Sequence, residues 1–499
     1  MRPLIENFPF FCIFLCMGTG ILLSIVRSGR AAYRISLFVI GAVALMSAVL
    51  AAYLTIHDYS FLFRMGKFAA PYGNALKAGP LQALLCLTFS VVMGLSLMGG
   101  KTDLFQDISP RRQPFYFIMT NLTLASLLTL TYTTDIFTGY VFIEISTIAA
   151  CAMVMAKDTG RNLIATIRYL FMSLVGSGLF LLGVTFLNSI TGYLLMQALR
   201  GSVEALVESG RYQVPLTVVI GLITVGLGIK SAMFPFHLWL PDAHGSATTS
   251  SSAILSGLVL KGYIVLLMTI FVRVFTLETA VRFHITDVVL IFGLLGMLFG
   301  SLGAMREHHI KRMLAFSSVA QVGYIFMGVG LGTEAGLVAS CLHILVHACS
   351  KPLLFCCAGR LSAVSDHHKS LAKLRGSAYR DLLAGVGFTV GALSMIGIPL
   401  FGGFVSKLYF ANASLLNSGR TALILLVIAA STVLNALYYV PALISIWSRS
   451  GSEETLAAAS AAKDPSFSAA AVCLIAAVLT LGIFYEPAVS IIEAGIRLM

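Results

Sequence analysis

Charged residues are scarce in this sequence: Asp, Glu, Lys and Arg make up 11% of its 499 positions, against roughly 25% in soluble domains. Together with a 58% hydrophobic content, this excludes a mostly soluble protein. No stretch of about a hundred residues lacks a long apolar run, so no sizeable soluble domain fits at either end. Nucleotide-binding signals are missing as well: neither a glycine fingerprint opening a helix after a strand nor a P-loop is present. Nine cysteines occur, mainly inside apolar runs, as at Cys12, Cys16 and the adjacent Cys356 and Cys357. None has ferredoxin-like or zinc-site spacing, so they read as packing residues. No redox cofactor and no metal is expected in this chain.

A net charge of +12 raises the question of nucleic acid, but the charges sit in short loops between apolar runs, which is how a membrane protein is oriented. The first thirty residues carry only Arg2 ahead of the apolar run and end in Arg27 and Arg30. With no small-residue cleavage site they read as a retained helix, not a signal peptide.

A helix needs about 20 largely apolar residues to cross the hydrocarbon core. That rule predicts an all-α membrane protein of about fourteen spans, at residues 8–26, 35–56, 81–97, 115–132, 136–155, 163–190, 216–234, 247–272, 288–304, 313–332, 336–358, 382–411, 422–447 and 467–484. The runs are far longer than the roughly ten alternating residues of a barrel strand. Odd-numbered connections hold about 19 of the 33 basic residues, and even connections with the two termini hold about 10. The bias puts the odd loops in the cytoplasm and both termini outside.

Four basic residues belong to no loop: Lys230, Lys261, Lys351 and Lys407. With Glu144 they make five ionisable groups inside predicted spans. Each costs at least about 2.5–3.5 kcal/mol at the bilayer centre, so a use is expected for them. Lys230 stands before Pro235, which has no amide hydrogen and must interrupt its helix; Lys407 follows Pro399, Gly402 and Gly403. Broken helices are tolerated at membrane depth only where the freed backbone faces protein or water, so both lysines border candidate hydrated cavities.

The two breaks fall in the seventh and twelfth spans, about 120 and 111 residues from the starts of the fourth and ninth. Gly/Pro-interrupted segments at matching places in two halves mark an inverted-repeat transporter. The expected organisation is a single membrane domain over 1–499, with N-terminal helices in 1–112, a first repeat in 113–274, a second in 284–447 and a last helix in 465–499. His343, His347 and Lys351 recur every four residues and share one helix face. An imidazole exchanges protons near neutrality, so this stripe reads as a proton wire. His237 and His244 flank the turn after the first break and either line an opening or accompany interface anchoring by Trp239. His308 and His309 read as solvated.

Burial can bring a lysine pKa down from about 10.4 to near neutrality. A carboxylate at about 4 Å contributes about 4 kcal/mol at an effective dielectric near 20. Glu144 and Lys230 are therefore read as a switch that loads and unloads the amine, Lys261 with His343 and His347 as a lateral relay, and Lys407 as the terminal donor.

These stretches resemble the antiporter-like membrane subunits of respiratory complex I, the large subunits of Mrp-type cation/proton antiporters and the membrane subunits of membrane-bound hydrogenases. The resemblance runs from about Phe115 to Lys407, more loosely over 72–85. It is carried by GIKSAMFPFHLWLPDAH, IKRMLAFSSVAQVGY and HILVHACSKPLLF. It implies two inverted five-helix repeats and the same proton path: Glu144, Lys230, Lys261, His343, His347 and Lys407. The sequence departs from the pattern at His309, where an acidic residue is usual, and at Gly79, where an aspartate is common.

The resemblance implies a proton-translocating subunit of a multi-subunit redox complex of the NADH–quinone or hydrogenase kind, in the inner membrane of a bacterium or archaeon. Flavin, iron–sulfur or nickel–iron centres would belong to partner subunits, and no catalytic redox centre to this chain. The alternative is a subunit of an Mrp-type sodium/proton antiporter. A third reading, a solute carrier acting alone, lacks a shaped polar pocket.

Overall fold

The structure is a computed structural model that describes residues 2–68, 74–416, 419–448 and 464–499. Among them, twelve helices are long and apolar enough to cross a membrane, and two more, Phe8–Leu23 and Leu382–Ile396, are apolar but shorter. Each predicted span overlaps one of these helices, and the twelfth, 382–411, is divided between Leu382–Ile396 and a separate helix, Gly402–Leu415. Their starts follow capping chemistry: Asp135, Thr159, Thr333 and Asp381 each accept a backbone N–H of the first turn of the helix that follows, satisfying a donor that the helix itself leaves unpaired.

Burial sorts the helices into a centre and a periphery. Thr249–Phe275, Ile310–Gly330 and Glu334–Ala363 are enclosed by protein almost all round, whereas Gly160–Thr191, Thr421–Trp447 and Pro465–Ile483 leave most of their apolar surface outward. A helix apolar on every face can occupy either place. What distinguishes the central three is that they carry Lys261, the Lys311–Tyr324 series and the His343, His347, Lys351 stripe, all buried.

Both predicted breaks exist. Helix Gln213–Lys230 ends at the lysine, and the chain resumes as helix Trp239–Ser246. In the second, Leu382–Ile396 stops at Gly397, whose φ of +92° is a left-handed helix end that suits glycine. Pro399 lies in the gap, and Gly402 and Gly403 open the next segment, Gly402–Leu415. These two glycines serve packing: a Cβ at Gly402 would press on Val346 and Leu481, and one at Gly403 would strike the carbonyl of Ser394.

Thr249–Phe275 is not a uniform α-helix. It widens into π-helical turns at Leu255–Val259 and Phe271–Phe275, a distortion frequent at functional sites. Lys261 follows the first of them. A hairpin also departs from an all-helical reading: Phe61–Arg64 pairs antiparallel with Ala75–Ala78, Phe61 opposite Ala78. It joins the second and third predicted spans, too short to register in a search for spanning segments. The looser resemblance over 72–85 starts at residues 72 and 73, outside the described residues.

Candidate functional site

The first break delivers Lys230 to Glu144. Lys230 Nζ lies 3.6 Å from Glu144 Oε1 and donates to Thr147 Oγ1 at 2.5 Å. Glu144 and Thr147 are three residues apart on helix Ile136–Met155 and so face the same way. The amine also sits 5.9 Å from the Tyr263 ring centroid, and Tyr263 Oη donates to Ser146 Oγ at 3.1 Å. Lys230 is 1% exposed. At this separation the attraction between an amine cation and a carboxylate is about 4–5 kcal/mol at an effective dielectric near 20.

A second cluster lies on the central helices. Lys261 Nζ donates to the Ser256 carbonyl, within the widened turn. Ser256 Oγ is 2.8 Å from Ser318 Oγ, and Ser318 donates to the Leu314 carbonyl. Lys351 Nζ donates to that same carbonyl at 2.9 Å, to Ser317 Oγ at 2.8 Å and to Tyr439 Oη at 3.4 Å. Tyr438 Oη lies within hydrogen-bond distance of Ser317 Oγ and of Asn435 Oδ1, at 2.9 and 2.7 Å. Lys261 and Lys351 therefore share one chain of hydroxyls and carbonyls.

The histidine stripe runs from this cluster to the second break. The His343 and His347 rings are 6.2 Å apart, and His343 Nδ1 is 2.9 Å from Ser406 Oγ, one residue before Lys407. Lys407 Nζ donates to the Ile396 carbonyl at 2.7 Å and to Thr432 Oγ1 at 3.1 Å, over the Tyr324 ring at 5.1 Å. Gly397 makes this possible, since a Cβ there would come within 2.9 Å of Lys407 Cδ.

Among the described residues, both nitrogens of His347, Nε2 of His343 and both amide atoms of Gln321 have no hydrogen-bond partner, although all are fully buried. Buried polar atoms are almost always bonded, to protein or to ordered water. No direct hydrogen bond among the described residues links the Glu144–Lys230 pair to Lys261.

His237 and His244 are both buried, the first stacked on Phe234 and the second on Phe355. Neither nitrogen of His244 has a partner among the described residues. Trp239 is not an interface anchor: it is 3% exposed and stacks on Tyr169 at 4.4 Å. Asp242 fixes this segment by pairing with Arg168 and Arg312, each at 2.5 Å.

Sequence reading missed Lys311, taken there as a loop residue. It is 3% exposed, and its Nζ donates to the Ala247 carbonyl at 3.2 Å. Spacing held the signal: Lys311, Ser318, Gln321 and Tyr324 are seven, three and three residues apart, and so lie near one face of a helix. His309, expected to be solvated, is half-buried and accepts the Arg312 N–H as a cap. Burial holds its pKa down to about 4, helped by the charges of Lys369, Lys311 and Arg312. Among the described residues no group of three or more His, Cys, Asp or Glu side chains converges in a way that would hold a metal ion.

Residues 133–434 match the family described as NADH:quinone oxidoreductase/Mrp antiporter, transmembrane. The chain belongs to this family. It is 32% identical over 402 residues to an NADH-quinone oxidoreductase membrane subunit of Desulforudis audaxviator, covering 80% of this chain and 77% of the relative. It is 30% identical over 376 residues to an Na(+)/H(+) antiporter subunit of Alkalihalophilus pseudofirmus, covering 73% and 72%. Its fold matches a chain of the Mrp complex of Dietzia sp., with a TM-score of 0.87 at 22% identity over 99% of this chain and 97% of that one. A chain of the archaeal membrane-bound sulfane sulfur reductase matches with a TM-score of 0.84 at 23% identity, over 99% and 96%. Like its family, the chain is a multi-pass integral membrane protein.

Proposed function

We propose that this chain translocates protons as an antiporter-like subunit of a multi-subunit, redox-driven membrane complex of the NADH–quinone oxidoreductase or membrane-hydrogenase type. The observation that carries the reading is the pairing of buried Lys230 with half-buried Glu144 at one broken helix, followed by Lys261, Lys351, His343, His347 and Lys407 across the core. Ionisable groups so placed in lipid are retained for ion movement. Movement of Glu144 toward or away from Lys230 changes that amine's hold on its proton; Lys261 and the histidines pass the charge laterally, and Lys407 releases it at the second break.

In this reading 113–274 and 284–447 are inverted repeats opening to opposite sides of the membrane. They are framed by N-terminal helices in 1–112 and the helix of 465–499. The complex lies in a bacterial or archaeal inner membrane with both termini of this chain outside. Flavin, iron–sulfur or nickel–iron centres reside in partner subunits, and none in this chain.

A second reading, a subunit of an Mrp-type sodium/proton antiporter, is favoured by the similarity to the Na(+)/H(+) antiporter subunit and by the likeness to the Mrp complex. A solute carrier acting alone has no comparable support. Gentle purification of the tagged chain distinguishes these readings. Copurifying flavin, iron–sulfur or nickel proteins support the first, small antiporter subunits the second, and recovery of the chain alone opposes both. Proton uptake by vesicles reconstituted with the purified complex then tests translocation itself.

A further inference from the structure

Away from the proton path, a cavity of about 850 Å³ opens between the Phe61–Ala78 hairpin, residues 195–198 and the end of helix Thr249–Phe275. Its lining includes Arg64, Lys77, Arg200 and Arg273, and no acidic side chain among the described residues, although Arg200 Nε pairs with Glu204 Oε1 at 2.9 Å. All these segments belong to even-numbered connections or border them, the side of the membrane poorer in basic residues. Four cations gathered there are therefore not explained by orientation signalling.

Arg273 is the most informative of them. It is 6% exposed, and its Nε donates to the main-chain oxygen of Met499, the last residue of the sequence, at 3.3 Å. Nη1 and Nη2 are both buried and have no partner among the described residues. A guanidinium presents those two groups as a planar fork matched to two oxygens of a phosphate or carboxylate. Lys77, whose Nζ also reaches the main-chain oxygen of Met499 at 2.7 Å, has its pKa lowered to about 8 by burial and by the charges of Arg273 and Arg200. An anion in the cavity would relieve that repulsion.

Size and walls narrow the ligand. The cavity is far larger than an inorganic phosphate, and Phe61 and Met196 line it beside the cations. Leu62 and Phe68, 45% and 64% exposed, continue the apolar surface from its lining outward. We infer that this cavity binds a phosphate-bearing anion, the headgroup of an anionic phospholipid, with Arg273 gripping two phosphate oxygens and Lys77 and Arg200 flanking it. A guanidinium fork beside an apolar wall matches a headgroup phosphate and the chain it carries.

The test uses the full chain, purified with the subunits that accompany it, and follows retained lipid by native mass spectrometry and thermal shift on adding phosphatidylglycerol, phosphatidylcholine or inorganic phosphate. Wild type is expected to retain and be stabilised by phosphatidylglycerol in preference to phosphatidylcholine. Arg273→Gln should weaken that binding roughly tenfold or more, the scale of a lost charge-assisted hydrogen bond. Arg273→Lys, which keeps the charge but not the fork, should fall between. Should Arg273→Gln fail to accumulate, Arg200→Gln, at a half-exposed position, carries the test with a smaller expected loss. Unchanged phosphatidylglycerol retention in these variants overturns the site. Saturation by inorganic phosphate as tight as by lipid overturns the lipid assignment, and so does a partner polypeptide found filling the cavity in the assembled complex.

Discussion

The two broken helices hold their lysines differently. Lys230 faces a carboxylate at 3.6 Å, so the pair is neutral as a unit. Among the described residues Lys407 meets only the Ile396 carbonyl, the Thr432 hydroxyl and the face of Tyr324, so dipoles and not a full counter-charge surround it. In a low-dielectric interior a full opposite charge outweighs two or three dipoles. Matching architecture thus produces one lysine locked in a pair and one loosely held, as a path that takes up a proton at one end and releases it at the other requires.

The largest expected effect is at the paired lysine. Lys230→Ala should abolish proton uptake by reconstituted vesicles, a drop of about 100-fold or more. It leaves Glu144, 24% exposed, without its cation, so assembly must be checked alongside. Uptake at the wild-type rate in that variant would remove the pair from the mechanism.

Lys407→Arg comes next, with an expected loss of about tenfold, because arginine keeps its proton in proteins. A variant as fast as wild type would mean that this position never releases one. Glu144→Gln turns the first environment into a copy of the second, a lysine among dipoles. It should slow uptake by a comparable factor, and equal rates in mutant and parent would show that the asymmetry between the halves is immaterial.

Smaller changes probe the supports. Gly397→Ala places a side chain at a φ of +92° and against Lys407. A cost of about 1–3 kcal/mol is expected, read as a lowered Tm together with slower uptake; a stability loss with an unchanged rate would separate the turn from the lysine. Tyr324→Phe keeps the ring under Lys407 and removes only a hydroxyl 3.5 Å from the Ile428 carbonyl, so uptake should stay within about twofold of wild type. Tyr263→Phe removes the bond to Ser146 and should cost about 0.5–1.5 kcal/mol, seen as a Tm shift larger than that of Tyr324→Phe.

Much of the site was legible before the structure because charge within an apolar run is conspicuous. Lys230, Lys261, Lys351, Lys407 and Glu144 stood out for that reason, and all four lysines lie buried within the protein. Lys311 and Arg273 escaped notice because each lies near the end of its run, where a loop assignment is equally good. The serines and tyrosines joining Lys261 to Lys351 were invisible for another reason: single hydroxyls in membrane helices are common, and nothing in one helix shows which of them meets a neighbour's amine.

The sequence alone determined what depends on neighbouring residues: where the long apolar runs lie, that the stretches around Pro235 and Pro399 interrupt a helix, and that His343, His347 and Lys351 share a face. These follow from transfer free energies and backbone stereochemistry, which act over a few turns of helix. Tertiary structure decided which groups meet. It brought Thr147 to an amine 83 positions along the chain, gave Lys230 a carboxylate while Lys407 received dipoles, and gathered Arg64, Lys77, Arg200 and Arg273 around one cavity. Hydrogen bonds and ion pairs act over a few ångströms, and only the packing of distant helices brings such atoms within that range.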